Sequence, residues 1–228
     1  MKYLKLKQEL VLWIFLAVPF VYIMYIWNSL PARVPTHFDI SGNPNGWGGK
    51  YSVFVTPGIS ILVYALLALV PLIDPKKMSY ESFQNAFFKI RLVIAAFLGI
   101  GSCFALNAAV TQGIRYNNVI PYFGFILIAL LGNFMINIKP NWFIGIRTPW
   151  TLSSEYVWKQ THLVAGRVWF YGGIICFLLS LVIKREVLPI LTMSFLIGGG
   201  LLFALYSFIL YKREEKTKAL NNDIIHNE

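Results

Sequence analysis

Two groups of polar and aromatic residues interrupt an otherwise apolar chain. The first is Arg33, His37, Phe38, Asp39, Trp47, Lys50 and Tyr51. The second is Asn141, Gly145, Arg147, Thr148, Pro149, Trp150, Glu155, Trp158 and His162. His37 and Asp39 are the types that bind metals or abstract protons, yet the surrounding loop supplies no second His or Cys to complete a zinc site. The spacing instead predicts a turn histidine bonded to backbone. A phosphate cradle fails too, because Gly42–Lys50 does not keep the spacing of a G-x-x-x-x-G-K loop. In the second group the best acid–histidine set is Glu155 and His162, seven residues apart, and there is no H-E-x-x-H. Neither group makes an enzyme or calls for a cofactor. Both have the composition of recognition surfaces: planar aromatics, an arginine fork and tight turns.

The elements that carry these groups follow from composition. The chain has 228 residues, of which 57% are apolar and 13% charged, and its mean hydropathy is +0.62. A soluble domain carries about 25% charged residues, so this chain cannot face water over most of its surface. That excludes a soluble enzyme, a disordered chain and a secreted disulfide scaffold. Cys103 and Cys176 lie inside apolar runs and read as small hydrophobes. Crossing a bilayer core takes about 20 apolar helical residues. Six stretches qualify: Leu10–Asn28, Val53–Ile73, Leu92–Val110, Val119–Ile138, Val168–Ile183 and Val187–Tyr211. The fold class is therefore an all-α polytopic membrane protein of six transmembrane helices. It divides into a three-span half at 1–111 with its loop at 29–52, a second half at 112–211 with its loop at 139–166, and a polar tail at 212–228 that reads as disordered.

Lysines and arginines set the orientation. Those of the N-terminus (Lys2, Lys5, Lys7), the second loop (Lys76, Lys77, Lys89, Arg91), the fourth loop (Lys139, Arg147, Lys159, Arg167) and the tail far outnumber Arg33, Lys50, Arg115, Lys184 and Arg185 on the other side. The positive-inside rule puts both termini and the 139–166 loop in the cytoplasm and the 29–52 loop outside. The net charge of +10 is then topology and membrane-lipid contact, with no direct nucleic acid required.

In the outer loop, Pro31 and Pro35 keep their predecessors extended, 34–40 alternates like a strand, and Ser41–Gly46 supplies turn residues. In the inner loop, Thr151 or Ser153 is placed to cap a short helix at the membrane surface. Glu155 lies in the first turn of that helix, and Trp158, His162 and Ala165 fall on one stripe. Arg147 is expected to bond helix-end carbonyls, an anionic headgroup or a partner's carboxylate. Gly172-Gly173 and Gly198–Gly200 are expected to permit close helix packing. No charged residue is expected deep in a span, which leaves a proton relay unsupported. The two halves are of opposite orientation, and their special loops correspond. That is the arrangement of an inverted-repeat transporter, for small molecules or peptides, and it stands as the alternative.

The run Leu30-Pro31…Pro35-x-His37-Phe38…Gly42…Gly46-Trp47…Lys50 resembles a domain of unknown function found at the first loop of many bacterial membrane proteins. The run Asn141…Gly145-Ile146-Arg147-Thr148-Pro149-Trp150-Thr151-Leu152…Glu155…Val157-Trp158…Thr161-His162 resembles the signature of SdpI-like membrane proteins. The resemblance implies immunity to a secreted peptide toxin, with the toxin-bound protein sequestering a cytoplasmic repressor at the membrane. On that implication Arg33, His37, Phe38, Asp39, Trp47, Lys50 and Tyr51 face the toxin, and the second group forms the cytoplasmic loop.

Overall fold

The computed structural model describes residues 5–39, 43–76, 78–112, 120–184 and 187–225. Helix α1 (Leu6–Ile26) leads through a short 3-10 turn into a β-hairpin of β1 (Arg33–Phe38) and β2 (Pro44–Gly49). A second 3-10 turn opens α2 (Val55–Ile73). The short α3 (Ser79–Ser82) precedes α4 (Gln84–Val110), and then come α5 (Ile120–Met135), α6 (Pro149–Ser153), α7 (Glu155–Ser180) and α8 (Leu188–Ile225).

Five helical segments among the described residues are long and apolar enough to cross a membrane: Leu6–Ser29, Lys50–Ile73, Gln84–Val110, Glu155–Ser180 and Leu188–Asp223. The apolar part of α5, Tyr122–Met135, is shorter. At 1.5 Å per residue, the 16 residues of α5 reach only about 24 Å against a core of about 30 Å. Val119, where the fourth expected span begins, and Ser41 and Gly42 of the expected turn lie outside the described residues, as do Lys2, Lys77, Arg115 and Arg185 of the charge tally. This is a multi-pass membrane protein. Its outward faces confirm the solvent: Leu62, Leu66 and Leu69 of α2 and Leu201, Leu202 and Leu205 of α8 are all more than half exposed or close to it.

Helix packing rests on missing side chains. A Cβ on Gly132 would lie 2.6 Å from the Phe170 amide nitrogen and 2.9 Å from the Gly166 carbonyl, so α5 and α7 touch backbone to backbone. Gly173 belongs to the same seam, facing Ala129. Small residues at such crossings are what membrane helices use in place of a hydrophobic driving force. The expectation for the glycine triplet holds only at its middle residue: a Cβ on Gly199 would lie 3.0 Å from the Trp169 indole nitrogen of α7, whereas one on Gly198 or Gly200 would meet nothing within 4 Å.

Two elements differ from expectation. The 212–228 tail is not disordered through its described part: α8 runs on to Ile225. Lys212 and Glu215, and Glu214 and Lys218, pair at 2.7 Å across one helical turn, which offsets the loss of apolar burial. The short surface helix beginning near Glu155 is the first turns of a spanning helix. Ser154 is extended (φ −138°, ψ 125°) and separates α6 from α7, and α7 then continues for 26 residues past the exposed Arg167.

Candidate functional site: two built ends of one bundle

The hairpin closes one end. Arg33 pairs with Gly49, Val34 with Gly48, Pro35 with Trp47, His37 with Gly46 and Phe38 with Pro44, with irregularities on either side of His37. Of the strand expected over 34–40, the structure shows Arg33–Phe38, paired with the run that holds Gly46, Trp47 and Gly48; Ile40 lies outside the described residues. Val34 is buried among Ile23, Ile26, Leu30, Val53, Leu106 and Ala109, which seats the hairpin on the ends of α1 and α4. The His37 Nδ1–H donates to the Asn45 side-chain oxygen, so the expectation of a backbone partner is corrected. Asp39 accepts from the Asn43 amide at 2.7 Å and closes the turn; it is not poised as a base. Lys50 places its ammonium 4.4 Å from the centre of the Trp27 ring, and Tyr51 leans on the same ring at 5.5 Å. Trp47 stays 44% and Tyr51 74% exposed, and Arg33 is exposed. Phe38 instead lines a cavity of about 200 Å³ beneath the hairpin, with Thr36, Ser52, Thr56 and Leu106.

The signature loop closes the opposite end of α2. Asn141 is fully buried and organises it. Its amide donates to the Lys139 and Ile144 carbonyls at 2.9 and 3.0 Å, and its oxygen accepts from the Phe143 and Ile144 amides at 2.9 and 2.6 Å. Gly145 takes φ +112°, and the His162 imidazole occupies the space a side chain would need. Only glycine meets both conditions. The His162 Nε2 accepts from the Ile146 amide at 3.0 Å. Arg147 donates to the Trp142 carbonyl at 2.8 Å, within the loop and not at a helix end, which corrects the helix-capping expectation. Thr148 and Thr151 form a reciprocal cap with Pro149 in the first turn of α6, and Ser154 caps α7 by accepting from Val157. Ser154 thus does for the helix of Glu155 what was expected of Thr151 or Ser153. Trp150 packs on Phe208 at 5.0 Å, tying the loop to α8. Trp158 donates to the Ile138 carbonyl at 2.8 Å. Glu155 is exposed and His162 buried, so this acid and this histidine are not a working pair.

Several residues that organise these ends escaped the sequence reading. Asp74 is 2% exposed and accepts from the Tyr80 hydroxyl at 2.8 Å, the Lys76 amide at 2.7 Å and the Trp142 amide at 3.0 Å. Burial first, and then the bond to Asp74, pushes the Tyr80 phenol well above its ordinary range, so it is a donor at any physiological pH. At the edges of the expected spans, Glu9 and Arg91 form a buried ion pair that the sequence reading did not anticipate. Arg91 is 1% exposed and donates from both terminal nitrogens to the two Glu9 oxygens, and the Tyr64 hydroxyl donates to the same carboxylate. The cluster joins α1, α4 and α2. Both charges lie one residue outside the apolar windows, and the helices extend past those windows. Among the described residues, no group of three or more His, Cys, Asp or Glu is placed to hold a metal.

Residues 137–211, from the signature loop through the apolar part of α8, match the model of the SdpI/YfhL protein family. Residues 14–61, spanning α1, the hairpin and the start of α2, match a domain of unknown function (DUF1648). Over those two stretches the chain is similar to SdpI-like proteins with their N-terminal domain of unknown function, as the two signatures imply. No curated protein and no solved structure matches it. The matched stretches contain both built ends and leave out 62–136, where Asp74, Tyr80 and Arg91 lie. At the level of the family the match supports a membrane protein of the immunity type.

Proposed function

We propose that this SdpI-like protein protects its cell against a secreted peptide toxin, with the hairpin facing outside and the signature loop and both termini in the cytoplasm. The toxin-bound protein then holds a cytoplasmic transcriptional repressor at the membrane. The observation that carries the reading is the hairpin: a two-stranded cap anchored on α1 and α4, presenting Arg33, Trp47 and Tyr51 to its surroundings. Aromatic and arginine side chains on a preordered frame bind peptides with little ordering cost. At the other end, Arg147, Trp142 and Phe143 stand on a loop whose backbone is fixed by Asn141. The transporter reading draws on the buried Glu9–Arg91 pair. It is supported less well, because α1 packs mainly on α4 in the first half whereas α5 packs mainly on α7 in the second.

Cells expressing Trp47→Ala at unchanged membrane level, challenged with the cognate secreted peptide, are expected to lose protection. Recruitment of the repressor to the membrane should fall in the same cells. Full protection by Trp47→Ala combined with Tyr51→Ala would overturn the assignment of the hairpin as the binding face.

A further inference from the structure

The peptide unit of Trp142 is held from both sides. Its N–H donates to the Asp74 carboxylate at 3.0 Å, and its carbonyl accepts from Arg147 at 2.8 Å. Asp74 belongs to the other half of the chain and caps the end of α2, its own amide bonded to the Val70 carbonyl at 3.1 Å. Its carboxylate is buried, and among the described residues no lysine or arginine pairs with it. Three hydrogen-bond donors therefore stabilise the charge, and one of them is the signature loop. The Tyr80 hydroxyl, which donates a hydrogen bond to Asp74, lies 3.3 Å from the Asn141 oxygen and so touches both organisers of the loop.

At its other end α2 opens under the hairpin, where Val55 and Thr56 line the same cavity as Thr36 and Phe38. Between the two ends run 19 residues, about 28 Å of helix. This helix buries few side chains, its main neighbour is α4, and it leaves Leu62, Leu66, Leu69 and Leu72 facing outward. A helix held mainly along one side shifts as a unit more readily than one packed all round.

We propose that Asp74 is the positioning residue through which α2 sets the conformation of the signature loop, so that a disturbance at the hairpin end reaches Trp142 and Phe143 through that helix. This deepens the receptor reading above, yet its test uses neither peptide nor repressor and so fails or succeeds independently of it.

The reporter is Phe143→Cys, 37% exposed in the parent, in a chain whose Cys103 and Cys176 are replaced by Ala. Its rate of reaction with a membrane-impermeant maleimide is read in opened membranes. Asp74→Asn exchanges one acceptor oxygen for a donor, and it is expected to raise the rate several-fold while a Gly49→Cys reporter at the hairpin is unchanged. Gly48→Ala places a methyl against Thr36 and Ser52, beside the start of α2. It is expected to change the Phe143→Cys rate when Asp74 is intact and to have no further effect with Asp74→Asn, a non-additive pair. Equal rates with and without Asp74→Asn, or strictly additive effects, would overturn the proposal. If Asp74→Asn does not accumulate, Tyr80→Phe decides: a raised rate supports the link, and an unchanged rate overturns it.

Discussion

The imidazole of His162 lies flat on the indole of Trp158, ring centres 4.1 Å apart and planes 18° from parallel, and both its nitrogens are committed. Nδ1–H donates to the Trp158 carbonyl at 2.8 Å and Nε2 accepts from the Ile146 amide. That pattern requires one particular neutral tautomer, since a second ring proton would point at the Ile146 N–H. The histidine of the signature is thus a strut between α7 and the loop.

His162→Ala takes the partner from the half-buried Ile146 amide, a loss of about 1–3 kcal/mol. Gly145→Ala should be worse, because strained backbone costs about 1–3 kcal/mol and the new methyl also collides with the imidazole. Combining the two removes the collision, so the double variant is expected to be more stable than the sum of the singles implies. Thermal unfolding of the four purified proteins in detergent measures this; strict additivity would mean that the imidazole does not fill the space above Gly145.

The Glu9–Arg91 pair predicts asymmetric damage. Arg91→Ala strands a carboxylate between three helices and should cost about 3–5 kcal/mol. Replacing both residues by apolar ones of similar size (Glu9→Leu with Arg91→Met) should recover most of that loss. The comparison is of unfolding midpoints, and a double variant as unstable as Arg91→Ala would argue that the charges do more than hold α1 to α4.

At the α5–α7 crossing, Gly132→Ala forces the two backbones apart and should lower the unfolding midpoint by several degrees. Gly200→Ala on α8 meets open space and should leave it unchanged or slightly higher, since alanine favours helix. Equal effects at the two positions would contradict the close contact of Gly132 with Phe170.

Orientation is tested by labelling. In intact cells of the Cys103- and Cys176-free chain, Gly49→Cys should react with an impermeant thiol reagent, and Ser153→Cys only after permeabilisation. The reverse pattern would invert every role assigned to the two ends.

Most of the span positions were legible from apolar run length alone, because a bilayer imposes a one-dimensional requirement that a linear sequence displays directly. The hairpin strand was legible for the same reason: two prolines, a period of two and a turn-forming run are local signals. So were both signature groups. The contacts that organise them were not. Arg91 finds Glu9 across 82 positions and Asp74 finds the Trp142 amide across 68; nothing local in either neighbourhood marks the partner. Charges at the ends of apolar windows read as loop residues, and only packing of α1, α2 and α4 buries them. The start of α7 and the continuation of α8 were decided the same way. Ser154 breaks the chain where Thr148 has already capped α6, and salt bridges carry α8 past the end of its apolar run at Tyr211. Local composition determined which segments enter the membrane; the side-by-side placement of helices decided which polar groups are sealed between them, because a buried charge or amide is tolerated only where a distant part of the chain supplies its partner.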